Sequence, residues 1–203
     1  MTIYAIVNDL LKGDGKASTC GQPVWTLVSP TAILQGGNPY FVPDFASRFE
    51  ARTALAVRIG KLGKGIAPRF VSRYVDAVAP AVMFVAADLL GRLREAGLPW
   101  TSALSYDRSL AIGKFRPMDI DGIPACECSL TLESADGSMD TPAQPCARCP
   151  LPAETVAALS RDNTLKTGDI LLIGIAGSGP AVTPDMKAIL KIGGEESLRF
   201  NIR

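Results

Sequence analysis

LAVRIGKLGKGIAPRFVSRYVDAVAPAVMFVAADLLGRLREAGLPWTSALSYDRSLAIGKF, residues 55–115, is the stretch whose reading decides the fold. It opens inside a buried strand, residues 54–59 (ALAVRI). Residues 69–78 place Phe70, Tyr74, Ala77 and Val78 at helical spacing, which predicts a helix that Pro80 ends. Residues 81–85 are rich in strand formers. Residues 87–96 (ADLLGRLREA) predict an amphipathic helix, stopped by Gly97 and Pro99. Residues 109–115 read as a further strand.

Working outward, residues 3–7 (IYAIV) and 24–30 (VWTLVSP) read as strands on either side of a Gly-rich loop at 12–22. Residues 34–43 predict a hairpin around Gly36 and Gly37. Towards the C-terminus, residues 128–133 alternate and lead into an Asp136–Gly137 turn, a hairpin signal. Residues 138–152 hold four prolines and read as a loop, and 151–162 as a short helix. Thr167–Gly168–Asp169 turns into ILLIGIAG (170–177), a buried strand. Residues 187–203 read as two strands around Gly193 and Gly194. The sum is a single strand-dominated α+β domain over residues 1–203, and the 19 glycines and 15 prolines suit many short strands joined by turns.

Composition narrows the function classes. The net charge of +1 leaves no electrostatic footprint for a nucleic acid. Histidine is absent, which excludes Ser-His, Cys-His and His-metal mechanisms. The opening MTIYAIVNDLLKGDGK has no signal-peptide pattern, and the longest apolar run, 77–90, is too short to span a bilayer and contains Asp88. These features lead to the expectation of a cytoplasmic protein with reduced cysteines and no membrane partner.

Four features invite a functional reading. Gly174-Ile-Ala-Gly177-Ser-Gly179 follows a strand, as a phosphate-cradling loop does, but it lacks the dinucleotide spacing and a helix start after Pro180, so it reads as a strand-to-loop turn. Cys126, Cys128, Cys146 and Cys149 offer four thiolates for a zinc ion. The C-x-C half suits this poorly, since alternate residues of a strand stand about 6.6 Å apart, and small half-buried apolar groups are the better reading. The run Arg52, Arg58, Lys61, Lys64, Arg69, Arg73 reads as a solvated face without aromatic stacking partners. Asp119 and Asp121 read as part of a surface turn.

Taken together, residues 55–115 resemble the central part of the fumarylacetoacetate hydrolase family. That family carries a strand of type E-x-E-L-A-V-V-I-G-K, then N-D-x-x-A-R-D, G-x-P-W, K-x-F-D and I-G-x-F, and later L-x-x-G-D-x-x-x-T-G-T-P. The matching pieces here are residues 55–61, 84–89, 97–100, 105–107, 112–115 and 165–174. Residues 1–30 form a divergent, shortened N-terminal part. The resemblance implies a mixed β-sandwich or β-roll with a few short helices. It also implies a Mg²⁺ or Mn²⁺ ion held by the E-x-E glutamates and the N-D aspartate, which binds a 2-oxo or 1,3-diketo acid for C–C hydrolysis, decarboxylation or tautomerisation. A hard cation wants oxygen ligands and stabilises the developing enolate.

At those positions this chain has other residues. The E-x-E places are Arg52 and Ala54, the N-D aspartate is Met83, the Lys of K-x-F-D is Leu104, and the two threonines of T-G-T-P are Ile173 and Ile175. Arg52 puts a fixed positive charge where a divalent ion would sit. At ~4 Å and an effective dielectric of ~20 the repulsion is roughly 8 kcal/mol. Glu50 shares a strand face with Arg52 and is expected to pair with it. From this joint replacement follows the expectation of a catalytically inactive protein with no cofactor. It would act through protein contacts, as a homodimer or with a related chain. Two alternatives stand beside it: a metal-dependent hydrolase, decarboxylase or isomerase whose ligands come from Glu50, Asp76, Asp88 or Asp107, and a carboxylate-binding module that uses Arg52 as its anion contact. The second of these fails if Arg52 is buried against an acid.

Overall fold

The structure, a computed structural model, describes residues 1–8, 22–120, 123, 127–134, 137–140, 144–145 and 152–203. Its backbone is two sheets. The larger holds β1 (Ile3–Ile6), β2 (Trp25–Val28), β3 (Ile33–Leu34), β4 (Phe49–Ile59), β5 (Val75–Ala86), β6 (Leu110–Ile112), β7 (Arg116–Pro117) and β11 (Ile170–Ile173), in the order β2-β1-β11-β4-β5-β6-β3 with β7 beside β5. The smaller runs β10-β8-β12-β13, built from β8 (Glu127–Ser134), β10 (Gln144–Pro145), β12 (Lys187–Ile192) and β13 (Glu195–Asn201), with β9 (Gly137–Asp140) on β8. Among the described residues two α-helices, α1 (Ala87–Glu95) and α2 (Pro152–Asp162), join them. The strand-dominated α+β class is as expected. No helix among the described residues is long and apolar enough to cross a membrane.

The long antiparallel pair β4–β5 is the spine, in register from Phe49↔Ala86 to Ile59↔Val75. Both strands are almost wholly buried, which suits the near-continuous apolar sequence of β5 and leaves Glu50, Arg52 and Thr53 as buried polar residues of β4. Strand alternation divides the interior. Ala54, Ala56, Ala79, Ala81 and Met83 face one apolar cluster, whereas Leu55, Val57, Ile59 and Val78 face another that α2 covers with Val156 and Leu159.

Two local expectations are corrected. Residues 69–78 are not a helix: a short 3-10 turn at Pro68–Arg73 leads directly into β5, which passes through Pro80. Helical spacing lost to the β-branched run, because Val75, Val78, Val82 and Val85 pack well on a doubly covered strand. Pro80 is tolerated because its carbonyl accepts from Gly113 N–H (2.8 Å), away from β4. Its missing N–H would point the same way, into the gap between β6 and β7, so no β4–β5 bond is lost. Residues 34–43 are not a self-contained hairpin either. Gly36 and Gly37 turn the chain with positive φ, and Tyr40 then pairs with Ile202 at the end of the smaller sheet.

Candidate active site

Glu50, Arg52 and Ala54 lie on one face of β4, all buried. Met83 is the direct cross-strand partner of Arg52, and facing pairs put their Cβ atoms about 4.5–5.5 Å apart. Leu104 follows the 3-10 turn Thr101–Ala103 and is fully buried, and Ile175 lies in the loop after β11. Ala54, Met83, Leu104 and Ile175 share one apolar cluster. Ile173, two residues before Ile175, belongs to the cluster on the other face. The structure therefore gathers four of the six positions singled out above into one core and turns Ile173 away.

Arg52 does not face an open pocket. Its Nε and Nη2 donate to Glu50 Oε2 at 3.2 and 3.0 Å, and the two residues are 6% and 5% exposed. The expected Glu50–Arg52 pairing holds, and the carboxylate-binding module fails by its own criterion. Burial pushes the Arg52 guanidinium below its ordinary pKa, while the charge and hydrogen bonds of Glu50 hold it up. The far side of the Glu50 carboxylate, Oε1, takes Arg48 Nη2 at 2.7 Å. Arg48 and Arg94 add repulsion that lowers Arg52 further.

The Gly-rich loop supplies a contact that sequence reasoning missed. Gly179 N–H donates to Glu50 Oε2 at 3.4 Å. The loop lies on β4 through Ala176 N–H to Thr53 O (2.9 Å), Ala51 N–H to Pro180 O (2.9 Å) and Val182 N–H to Phe49 O (3.0 Å). A Cβ at Gly179 would stand 2.0 Å from the Ala51 carbonyl oxygen, so only glycine allows this approach. The loop amide does meet an anion, as a phosphate cradle would, but the anion is the chain's own carboxylate. Also unanticipated is the pair Tyr40–Tyr106. Their hydroxyls lie 2.9 Å apart, Tyr106 donates to Phe84 O (2.9 Å), and Tyr40 stacks on Phe84. Burial drives both phenols far above the ordinary range, so they stay protonated.

The remaining acids are dispersed. Asp88 opens α1 and accepts from Ser47 N–H (3.1 Å), Ser47 Oγ (2.8 Å) and Arg48 N–H (3.4 Å). Desolvation raises its pKa, but the bonds from Ser47, Leu89 and Arg48 together outweigh it and bring the value down to about 2. Asp76 holds Arg58 in a two-pronged pair at the surface, 2.8 and 3.1 Å. Asp107 borders an open polar cleft with Thr31, Gln35, Asn38 and Arg108. Among the described residues, no group of three His, Cys, Asp or Glu is placed to hold a metal ion. Cys128 is buried, and Cys126, Cys146 and Cys149 lie outside the described residues, as does Asp121. The basic run is not free of aromatic partners: Arg69 and Arg73 lie over Phe70, Lys61 over Tyr74 and Arg58 over Phe115.

The chain's sequence matches the family described as fumarylacetoacetate (FAA) hydrolase C-terminal over residues 7–200. It belongs to that family. It is 25% identical over 189 residues to the mitochondrial oxaloacetate tautomerase of Mus musculus, covering 93% of this chain and 84% of that protein. It is 26% identical over 182 residues to an oxaloacetate tautomerase of Escherichia coli, covering 89% and 78%. Among solved structures, fumarylpyruvate hydrolase from Pseudomonas aeruginosa in complex with Mn²⁺ and pyruvate superposes with a TM-score of 0.82 over 100% of this chain and 89% of that one, at 22% identity.

These relatives correct the expectation of an inactive protein. Curated relatives aligned over about nine-tenths of this chain are named as enzymes, which favours an enzymatic role within the family and the hydrolase, decarboxylase or isomerase alternative. The metal is a separate question. A guanidinium, a methyl and a thioether offer no hard oxygen donor, so Arg52, Ala54 and Met83 do not fit Mg²⁺ or Mn²⁺.

Proposed function

We propose that this chain is an enzyme of small 2-oxo acids, with keto–enol tautomerisation of an oxaloacetate-class dicarboxylate as its first-choice reaction. Decarboxylation or C–C hydrolysis of a related 2-oxo or 1,3-diketo acid is the neighbouring possibility, because all three pass through an enolate. The observation that carries the reading is the alignment with two oxaloacetate tautomerases over most of the chain. It spans the β4–β5 spine and the loop that lies on it. Tautomerisation moves one proton between carbon and oxygen and needs no histidine. A homodimer, or a pair with a related chain, belongs to the same proposal and is checked by light scattering.

The test follows the ultraviolet absorbance of enol-oxaloacetate after it is dissolved from the solid. The reading expects its decay to quicken in proportion to enzyme concentration. Decay at the spontaneous rate, together with no turnover of fumarylpyruvate, with or without Mn²⁺, would sink it.

A further inference from the structure

We infer that the buried Glu50–Arg52 ion pair stands in the place of the divalent cation and does its structural work, so that this chain is built to operate without a metal there. The inference rests on the family reading for the location of the cation site, and otherwise on this chain's own residues.

The geometry of a three-ligand site is kept while its chemistry is exchanged. Arg52 and Ala54 are two apart on one face of β4, and Met83 faces Arg52 across the ladder. Three positions that would converge on an ion thus still converge, but on an arginine stem, a methyl and a thioether, all buried. What a cation does in such a place is hold negative oxygens to one point. Here the point is Arg52, and the oxygen is Glu50 Oε2, which takes two guanidinium bonds and the Gly179 amide. That amide ties the charge to the loop above. The loop is held to β4 by backbone bonds on both sides of the pair, at Thr53, Ala51 and Phe49, and by the close approach at Gly179. A 2+ ion added here would meet a guanidinium, and both oxygens of the Glu50 carboxylate already hold an arginine.

The test reads metal and stability rather than turnover. Purified chain is analysed for bound metal by mass spectrometry, then melted with EDTA, with Mg²⁺ and with Mn²⁺. The inference expects no stoichiometric metal and melting temperatures within about 1 °C of each other, since a ligand of the folded state must raise the melting temperature. Arg52→Met, which keeps the bulk and strands Glu50, is expected to lower it by about 6 °C or more in every buffer. The triple variant Arg52→Glu, Ala54→Glu, Met83→Asp is expected to gain a Mn²⁺-dependent rise. Stoichiometric Mg²⁺ or Mn²⁺ in the unmodified chain, a Mn²⁺-dependent rise in its melting temperature, or an Arg52→Met protein as stable as the parent would overturn the inference. A metal-free chain without turnover keeps the inference and removes the tautomerase reading; a metal-loaded chain that turns over oxaloacetate does the reverse.

Discussion

Strand β4 carries two arginine–carboxylate pairs six residues apart, and they live in different worlds. Arg58 and Asp76 meet bidentately at the surface, with side chains 39% and 44% exposed. Arg52 and Glu50 meet in the interior under a loop. The hydrogen bonds that Arg58 donates to Asp76 raise its pKa, whereas burial lowers that of Arg52 although it too donates two bonds to an acid. The chemistry of the pair is the same and the solvent is not. In water an ion pair replaces one set of good contacts with another and nets little. In the interior neither partner can be left alone, so each fixes the other. An interior pair is thus suited to hold a site together, and a surface pair is not.

The comparison breaks most sharply at Arg52. Arg52→Met leaves the Glu50 carboxylate buried with only Arg48 and one long amide bond, and should cost about 3–5 kcal/mol of unfolding free energy in urea. Next comes the loop. Gly179→Ala drives a methyl into the Ala51 carbonyl and should cost about 1–3 kcal/mol by strain, with earlier hydrogen exchange at Ala51 and Ala176, whose amides bond across that seam.

Asp88 sits between the two extremes, half-buried and charged. Asp88→Ala should cost about 1 kcal/mol through lost hydrogen bonds. Because its folded pKa is depressed to about 2, its contribution is complete above the unfolded value of ~3.9 and fades as pH falls towards and through about 2. The parent should therefore lose more stability than Asp88→Ala between pH 5 and pH 2. The smallest effect is expected at the surface pair: Arg58→Ala should change stability by less than about 1 kcal/mol, and less again in ~1 M salt. A large loss at Arg58, or a salt-sensitive one at Arg52, would erase the contrast.

Much of this was legible in the chain, and the limits have physical reasons. Helices α1 and α2, the β12–β13 hairpin and the Glu50–Arg52 pairing are local, set by spacings of two to four residues. The strand after the 3-10 turn was not, because residues 69–78 satisfy a helical period while the partners that make 75–78 a strand are β4 and β7. Gly179 reaching Glu50 spans 129 positions, and Tyr40 reaching Tyr106 spans 66. Neither has a local sign beyond a glycine that tolerates no Cβ. The site was half legible. Arg52, Ala54 and Met83 stand in the sequence, and the proposed exchange of oxygen ligands starts from them, but a few side chains at one spot say nothing about the proton chemistry the rest of the fold supports.

The most direct test of the account is the decay of enol-oxaloacetate followed with the same enzyme preparation in EDTA and in Mn²⁺. The account predicts catalysis above the spontaneous rate that is equal in both. Catalysis that EDTA abolishes and Mn²⁺ restores would contradict it.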